Sequence, residues 1–229
     1  FLNNDFLDKY ISYPLQLTYN RFLNKNYFSE GPNPYEFDNK FFDLNACATI
    51  EGYWNNPKYF NKYENEIKRT FDLDKFYDKK FETIEAEIKN KNSVSINIRR
   101  GDYLNSKHKD IFVILNENYY KEAISEIRNK LENLHFFVFS YDDPSWFGKT
   151  FSMDPSEYTM MSKEYVGEKF KTYLRLISLC KHNIISNSTF AWWGAYLNNN
   201  SDKVVVSPKK WMHKYDFEVP IEWISIDNK

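Results

Sequence analysis

Three short stretches of this 229-residue chain carry residue types whose spacing suits chemistry on a phosphorylated ligand. The first is Asn97-Ile-Arg99-Arg100-Gly101-Asp102-Tyr103. A guanidinium offers a planar fork of donors that grips phosphate bidentately, each charge-assisted bond contributing about 1.5–3 kcal/mol. Gly101 lets the backbone turn sharply and approach a ligand closely. The same residues also suit a plain turn whose arginines pair with surface carboxylates. The second stretch is Ser140-Tyr141-Asp142-Asp143-Pro144. Adjacent acids can chelate a metal, accept bonds from a base or ribose, or cap a helix. Asp143 before Pro144 reads as an N-cap with proline at the first helical position, which leaves the other acid for a ligand. The third stretch is Ser186-Asn187-Ser188-Thr189-Phe190. Its hydroxyls and free backbone N–H groups, at the start of a helix, make a place for an anion. Asn187-Ser188-Thr189 also matches the glycosylation sequon, but a helix start at a ligand site is poorly accessible to that machinery.

Each stretch follows a segment that reads as a strand. Ser93 to Arg99 alternates, with Val94, Ile96 and Ile98 inward and Ser95, Asn97 and Arg99 on the opposite face. His135–Ser140, Asn183–Ser186 and Lys203–Ser207 are the other strand candidates. Helical spacing is expected over about Glu117–Glu132 and Gly167–Lys181, and again from Asn187 or Ser188, where Phe190, Trp193 and Leu197 read as core. Upstream, Lys58–Phe71 carries Tyr59, Phe60, Tyr63, Ile67 and Phe71 at helical spacing, and Asp78–Lys89 places Phe81, Ile84, Glu85 and Ile88 on one face. Strands alternating with helices argue for an α/β fold with a parallel, doubly wound sheet. Ligands bind such sheets beyond the carboxyl ends of the strands, where all three stretches fall.

Other classes lose ground on composition. Charge is balanced, 31 Lys and Arg against 32 Asp and Glu, so the basic excess of a nucleic-acid binder is missing. Aromatic residues make up 19%, which excludes disorder and also suits stacking on sugar rings, although an AT-rich genome inflates the same residues. Cys47 and Cys180 are too few for a disulfide framework or a Cys-rich zinc site. No apolar run approaches the length of a membrane span. Neither G-x-G-x-x-G nor a P-loop occurs, so the three strand ends describe a nucleotide-diphosphate site without a glycine-rich phosphate loop.

Several segments resemble glycosyltransferase family 11, the galactoside α-1,2-L-fucosyltransferases. Ser95-Ile-Asn-Ile-Arg-Arg-Gly-Asp-Tyr103 is similar to the family's H-x-R-R-G-D-Y signature. Cys180 to Leu197 is similar to its second block almost residue for residue, and Gly52-Tyr53-Trp54 with Lys58-Tyr59-Phe60 resembles its G-Y-[FW]…K-Y-F segment. Ser207-Pro-Lys-Lys-Trp211 and Glu222-Trp-Ile224 resemble its closing stretch. The resemblance implies a GT-B architecture of two Rossmann-like domains, read here as a partial acceptor-side domain over residues 1–90 and a donor-binding domain over residues 91–229. It also implies a metal-independent, inverting transfer of L-fucose from GDP-β-L-fucose to the 2-hydroxyl of a galactose-terminated glycan. By that resemblance Arg99 holds the β-phosphate with Arg100 in support, Asn97 lies near the guanine, and Asp142 or Asp143 meets the guanine or ribose. Asn187, Ser188, Thr189 and the Phe190 backbone cover the diphosphate. Asp102 is a candidate general base, with turn capping as its alternative role.

The chain departs from the family pattern in three places. Asn97 stands where the signature has His, and it cannot carry charge. Tyr173 stands near a position where the family usually has Asp, and the opening G-G-L-G-N-Q segment is not in these 229 residues, so the N-terminal domain is expected to be incomplete in this chain. Two alternatives follow: a transferase using another nucleotide sugar, or a catalytically silent glycan- or nucleotide-binding module. A metal-dependent reading rests on Asp72-Leu73-Asp74, which follows a helix and reads as solvated surface. The histidines at 108, 135, 182 and 213 lack ligand spacing. The bacterial cytoplasm, with peripheral membrane association left open, is the expected compartment.

Overall fold

The computed structural model describes residues 26–31, 33–45, 47–104, 109–141, 143–167 and 170–228. The chain divides into two compact units, residues 1–59 and 60–229. In the first, β1 (Tyr27–Ser29) and β2 (Thr49–Glu51) pair in parallel. Phe28, Phe41, Trp54 and Tyr59 pack beside them, with Phe28 on Phe41 and each of Phe28, Phe41 and Trp54 on Tyr59 edge to face. The Glu30 carboxylate accepts the Tyr53 and Trp54 N–H groups, which shapes the Gly52-Tyr53-Trp54 turn.

The second unit opens with α1 (Glu64–Thr70) and α2 (Glu82–Asn90), which lead into β3 (Asn92–Asn97). Then come α3 (Glu117–Arg128), β4 (Leu134–Phe139), α4 (Pro144–Thr150) and β5 (Tyr158–Met161). After these follow α5 (Lys171–Leu179), β6 (His182–Ile184), α6 (Thr189–Tyr196), β7 (Val205–Pro208) and β8 (Ile224–Ile226). The six strands β3–β8 form one sheet in the order β5-β4-β3-β6-β7-β8, every pair parallel. Counted from β3, that is the doubly wound Rossmann order 3-2-1-4-5-6.

Both faces of the sheet are covered. On one, Val94, Ile96 and Ile98 meet Tyr119, Tyr120, Ala123 and Ile127 of α3. On the other, Phe137 and Phe139 meet Ile84 and Ile88 of α2 and Leu176 and Ile177 of α5. Burying each large aliphatic contributes about 1.5–3 kcal/mol. The strand expected at Ser93–Arg99 is therefore alternating but not half-exposed: Ser93 and Ser95 are fully buried. Their hydroxyls are used, accepting the Lys181 N–H and the Asn183 amide, which stitches β3 to the start and middle of β6.

Three helical expectations need correction. The stripe at Lys58–Phe71 is not one helix; short 3-10 turns at Pro57–Tyr59 and Asn61–Tyr63 precede α1. Phe60 (φ −142°) and Tyr63 (φ −121°) leave helical geometry. The stripe also serves two cores, because Tyr59 packs in the first unit while Phe60 stacks on Trp193 in the second. The helix expected from Gly167 starts at Lys171, since Gly167 and Phe170 both have left-handed φ, +68° and +62°. A side chain such as Phe170 in that region costs about 1–2 kcal/mol. In α6 the buried tryptophan is Trp192, while Trp193 lies half-buried between Phe60 and Phe71. The helix is apolar on nearly every side because it is enclosed rather than amphipathic. Gly194 lets it approach α5: a Cβ there would lie 2.5 Å from Ile177.

Candidate functional site

Strands β3 and β6 are neighbours, but the chain goes on from β3 to β4 on one side and from β6 to β7 on the other. That is the switch point of a doubly wound sheet, where the loops leaving the two strands separate and open a crevice. The stretches beginning at Asn97 and Ser186 leave this crevice. The Ser186 hydroxyl donates to Asn97 Oδ1 at 2.5 Å, tying the two strand ends together. Asn97 is buried and its carbonyl accepts the Tyr120 hydroxyl. Tyr103, from the loop after β3, reaches the segment after β6. Its hydroxyl donates to the Asn187 carbonyl at 2.9 Å, and the Arg99 guanidinium lies 5.6 Å from its ring centre. Arg99 is thus carried toward the start of α6.

Arg100, adjacent in sequence, turns to another task. Its guanidinium lies 4.4 Å from the Trp146 ring centre, a cation–π stack on α4. Nε is 3.7 Å from Asp143 Oδ2, and a terminal nitrogen donates to the Leu115 carbonyl at 3.4 Å. Asp143 occupies the N-cap position of α4 with Pro144 following, as the sequence suggests, but makes no capping bond. Its carboxylate instead faces Arg100 and accepts the Ser145 hydroxyl at 3.4 Å. Arg100 and Asp143 are therefore brought together with each other. Asp102 opens a short 3-10 turn, Asp102–Leu104, and its side chain lies outside the described structure, as does Asp142 altogether.

At the third stretch Ser188 is the N-cap of α6 and its side chain makes no capping bond. Thr189 and Phe190 open the helix half-buried, and Phe190 leans on the core beneath α5. The first N–H groups of a helix have no intrahelical acceptor, so this end presents donors and partial positive charge. Asn187 is differently employed. It is 1% exposed, and its amide nitrogen donates to the Val113 and Trp211 carbonyls at 2.7 and 3.0 Å. That burial also closes the sequon. Below it, burial pushes the Tyr119 phenol well up, keeping it a neutral donor to the Ile185 carbonyl. Two buried polar atoms without a hydrogen-bond partner, Arg100 Nε and Asn187 Oδ1, belong to this edge.

Sequence reasoning assigned no role to Tyr103, Trp146 or Ser186, which position Arg99, Arg100 and Asn97. Tyr103 and Ser186 lay within the motifs, whereas nothing local marks Trp146 as a partner of Arg100. Tyr173, which stands near the place where the resemblance expects Asp, is core: its hydroxyl donates to the Met161 carbonyl at 2.7 Å. Two cavities lie elsewhere. One of about 330 Å³ is lined by Arg175, Lys181 and Asn198 near the amino ends of the strands. Another of about 480 Å³ lies between α3 and the 151–157 segment. Asp72 and Asp74 do not converge on a metal: Asp72 accepts the Asp74 N–H, and Asp74 pairs with Arg175. Among the described residues, no group of three or more His, Cys, Asp or Glu side chains gathers into a metal site, and no helix is long and apolar enough to cross a membrane.

The sequence model of glycosyl transferase family 11 matches residues 15–227. The O-antigen biosynthesis glycosyltransferase WbnK of Escherichia coli is 42% identical over 123 residues, 53% of this chain and 40% of that protein. The alpha-1,2-colitosyltransferase of Escherichia coli is 31% identical over 190 residues, 80% of this chain and 64% of that protein. The galactoside 2-alpha-L-fucosyltransferase Sec1 of Mus musculus is 26% identical over 140 residues, 58% of this chain and 38% of its own length. In each case the chain covers less than two thirds of the relative. No solved structure matches.

Proposed function

The chain belongs to glycosyl transferase family 11, and on that premise we propose that it is a glycosyltransferase that moves L-fucose from GDP-β-L-fucose to the 2-hydroxyl of a terminal galactoside. The transfer inverts the anomeric centre and uses no metal. One observation supports the reading above others: the Arg99 stretch and the start of α6 meet at the switch point through Tyr103–Asn187 and Asn97–Ser186. A donor diphosphate in that crevice would have a guanidinium on one side and helix N–H groups on the other.

The chemistry follows from that placement. The bond from the fucose anomeric carbon to the β-phosphate oxygen breaks, its electrons passing to GDP. A bond from the acceptor oxygen forms on the opposite face of the sugar, and the acceptor proton leaves to a base. Negative charge grows on the diphosphate, so fixed positive charge aimed there lowers the barrier, with one such donor worth about 10²–10³ in rate. Arg99 serves because guanidinium stays protonated at every working pH. Ser188, Thr189 and the Phe190 N–H cover the phosphates. Asp102 takes the proton, and Asp142 meets the guanosine. Arg100 acts through Asp143 and Trp146, holding α4 against the end of β3. We infer a GT-B architecture in which the second unit, with its Rossmann strand order, is the donor-binding half.

A second reading has its own support. The 31% identical colitosyltransferase carries another sugar in its name, so a colitosyl donor is the alternative. The test is release of GDP from GDP-fucose, with and without a terminal β-galactoside, and with and without EDTA. Release that needs the acceptor and ignores EDTA is expected. Turnover only with a colitosyl donor would replace fucose by colitose. Binding without turnover of either would make the protein a silent nucleotide-binding module.

A further inference from the structure

Beside the phosphate crevice lies an aromatic corner that none of the assigned roles uses. Tyr141 follows the end of β4 and is 39% exposed; Phe170 precedes α5 and is 38% exposed. Their ring centres are 5.1 Å apart with planes at 76°. Phe170 continues to Phe190, in the first turn of α6, at 6.2 Å. The Lys163 ammonium lies 5.4 Å from the centre of the Tyr141 ring. Aromatic side chains this open forgo much of their burial energy. One of them, Phe170, is also held at a φ of +62°, which an L residue adopts only when the surroundings impose it.

We propose that Tyr141 and Phe170 form the platform on which the heteroaromatic base of the nucleotide donor stacks. The proposal rests on the nucleotide-sugar reading above and adds to it where the base lies. Three observations point to a base rather than a sugar or an apolar side chain. The two rings meet at a corner, so a flat ring lying on one face touches the edge of the other, the geometry aromatic pairs prefer. The corner stands beyond β4 and ahead of α5, on the β4–β5 side of the switch point, while Arg99 and the start of α6 stand at it. A diphosphate at the crevice directs its nucleoside to that side in a doubly wound sheet. Lys163 adds N–H donors at the rim, suited to the carbonyl oxygen of a base.

The test uses Phe170→Gly and Tyr141→Leu in the full chain. Glycine adopts the left-handed φ without steric cost, so Phe170→Gly keeps the loop's shape while removing the ring. Removing one stacking ring weakens base binding by about ten- to a hundredfold. The inhibition constant of GDP is therefore expected to rise about that much in each variant. Inorganic pyrophosphate, which has no base, should inhibit variants and parent alike, and the acceptor KM should not move. An unchanged GDP inhibition constant in both variants, with wild-type turnover intact, would overturn the platform and leave the transferase reading standing. So would a raised acceptor KM with unchanged GDP inhibition, which would make the corner an acceptor subsite. Failure of the parent protein to bind GDP at all would instead overturn the donor reading on which the platform rests.

Discussion

The two ends of the six-stranded sheet are built from similar residue types and use them differently. Toward the amino ends, Arg175 is buried and every nitrogen of its guanidinium donates a hydrogen bond. It makes two bonds of 2.9 Å to the buried Glu85 carboxylate, pairs with Asp74 and donates to the Leu73 carbonyl. Nearby, Lys203 donates to the Ala195, Tyr196 and Asn198 carbonyls, closing the C-terminal end of α6. At the carboxyl ends, the N-terminal end of the same helix is left without its Ser188 cap, and the bond from Ser186 to Asn97 Oδ1 leaves the Asn97 amide nitrogen over. Two buried polar atoms there, Arg100 Nε and Asn187 Oδ1, lack hydrogen-bond partners, against one, the Tyr196 hydroxyl, on the residue that ends α6. One cavity lies at that end and a larger one beside α3, so cavity volume alone would point away from the crevice. Unspent hydrogen-bonding capacity is the better guide, because a buried polar group left unmade costs more than a made one gains.

The contrast predicts opposite consequences for charge removal. Glu85→Ala leaves Arg175 buried without its main partner and should cost about 3–5 kcal/mol of stability, read as a lower denaturant midpoint. Turnover per folded molecule should hold. Replacing both partners, as Glu85→Leu with Arg175→Met, should recover most of the loss, since a well-packed apolar pair of similar volume is often no worse than a buried ion pair. A double variant as unstable as the single one would show that the ion pair is not what stabilises this end. Arg99→Ala should do the reverse. We expect a fall of about 10²–10³ in kcat with the melting temperature unchanged. An Arg99→Ala protein that unfolds, or that turns over normally, would erase the distinction between the two ends.

How much of this could be read in the sequence varies by element. The alternation of Val94, Ile96 and Ile98 and the helical spacing of Ile84, Glu85 and Ile88 both survive in β3 and α2, because each pattern reports one face packed on a core. The edge strands Tyr158–Met161 and Ile224–Ile226 were not visible. At four and three residues they are too short for a period, and pairing with a neighbour rather than local propensity makes them strands. Burial of Glu85 was legible, whereas its partner 90 residues away was not. At the site, the arginine pair and the hydroxyl-rich helix start stood out by residue type. The division of labour between Arg99 and Arg100 did not, since it is set by Tyr103 on one side and Trp146 on the other. No residue code announces a phenylalanine at positive φ, so the corner at Phe170 is visible only in three dimensions.

The smallest expected effect tests whether the satisfied end depends on its protonation pattern. His182, the first residue of β6, accepts the Val204 N–H at Nδ1 (3.1 Å) and faces Asn92 Oδ1 with Nε2 (3.2 Å). That arrangement fits only the neutral ring carrying its proton on Nε2, because a proton on Nδ1 would confront the Val204 N–H. Burial, and then the Lys181 charge, hold the His182 pKa below the usual value of 6.5, against the pull of Asp202. The sign follows from linkage: as pH falls below 6.5 the unfolded chain takes up a proton that the folded chain refuses, so stability declines. One group can contribute at most about 1.4 kcal/mol per pH unit. Melting temperatures measured from pH 7.5 to 5 should therefore fall, and His182→Gln should flatten part of that slope while lowering stability at pH 7.5. Kinetics supply the contrast, since the GDP inhibition constant, set at the other end of the sheet, should follow the parent's pH profile in the variant. If His182→Gln leaves the slope unchanged, the ring's protonation does not govern this end, and other groups, His135 among them, carry the acid sensitivity.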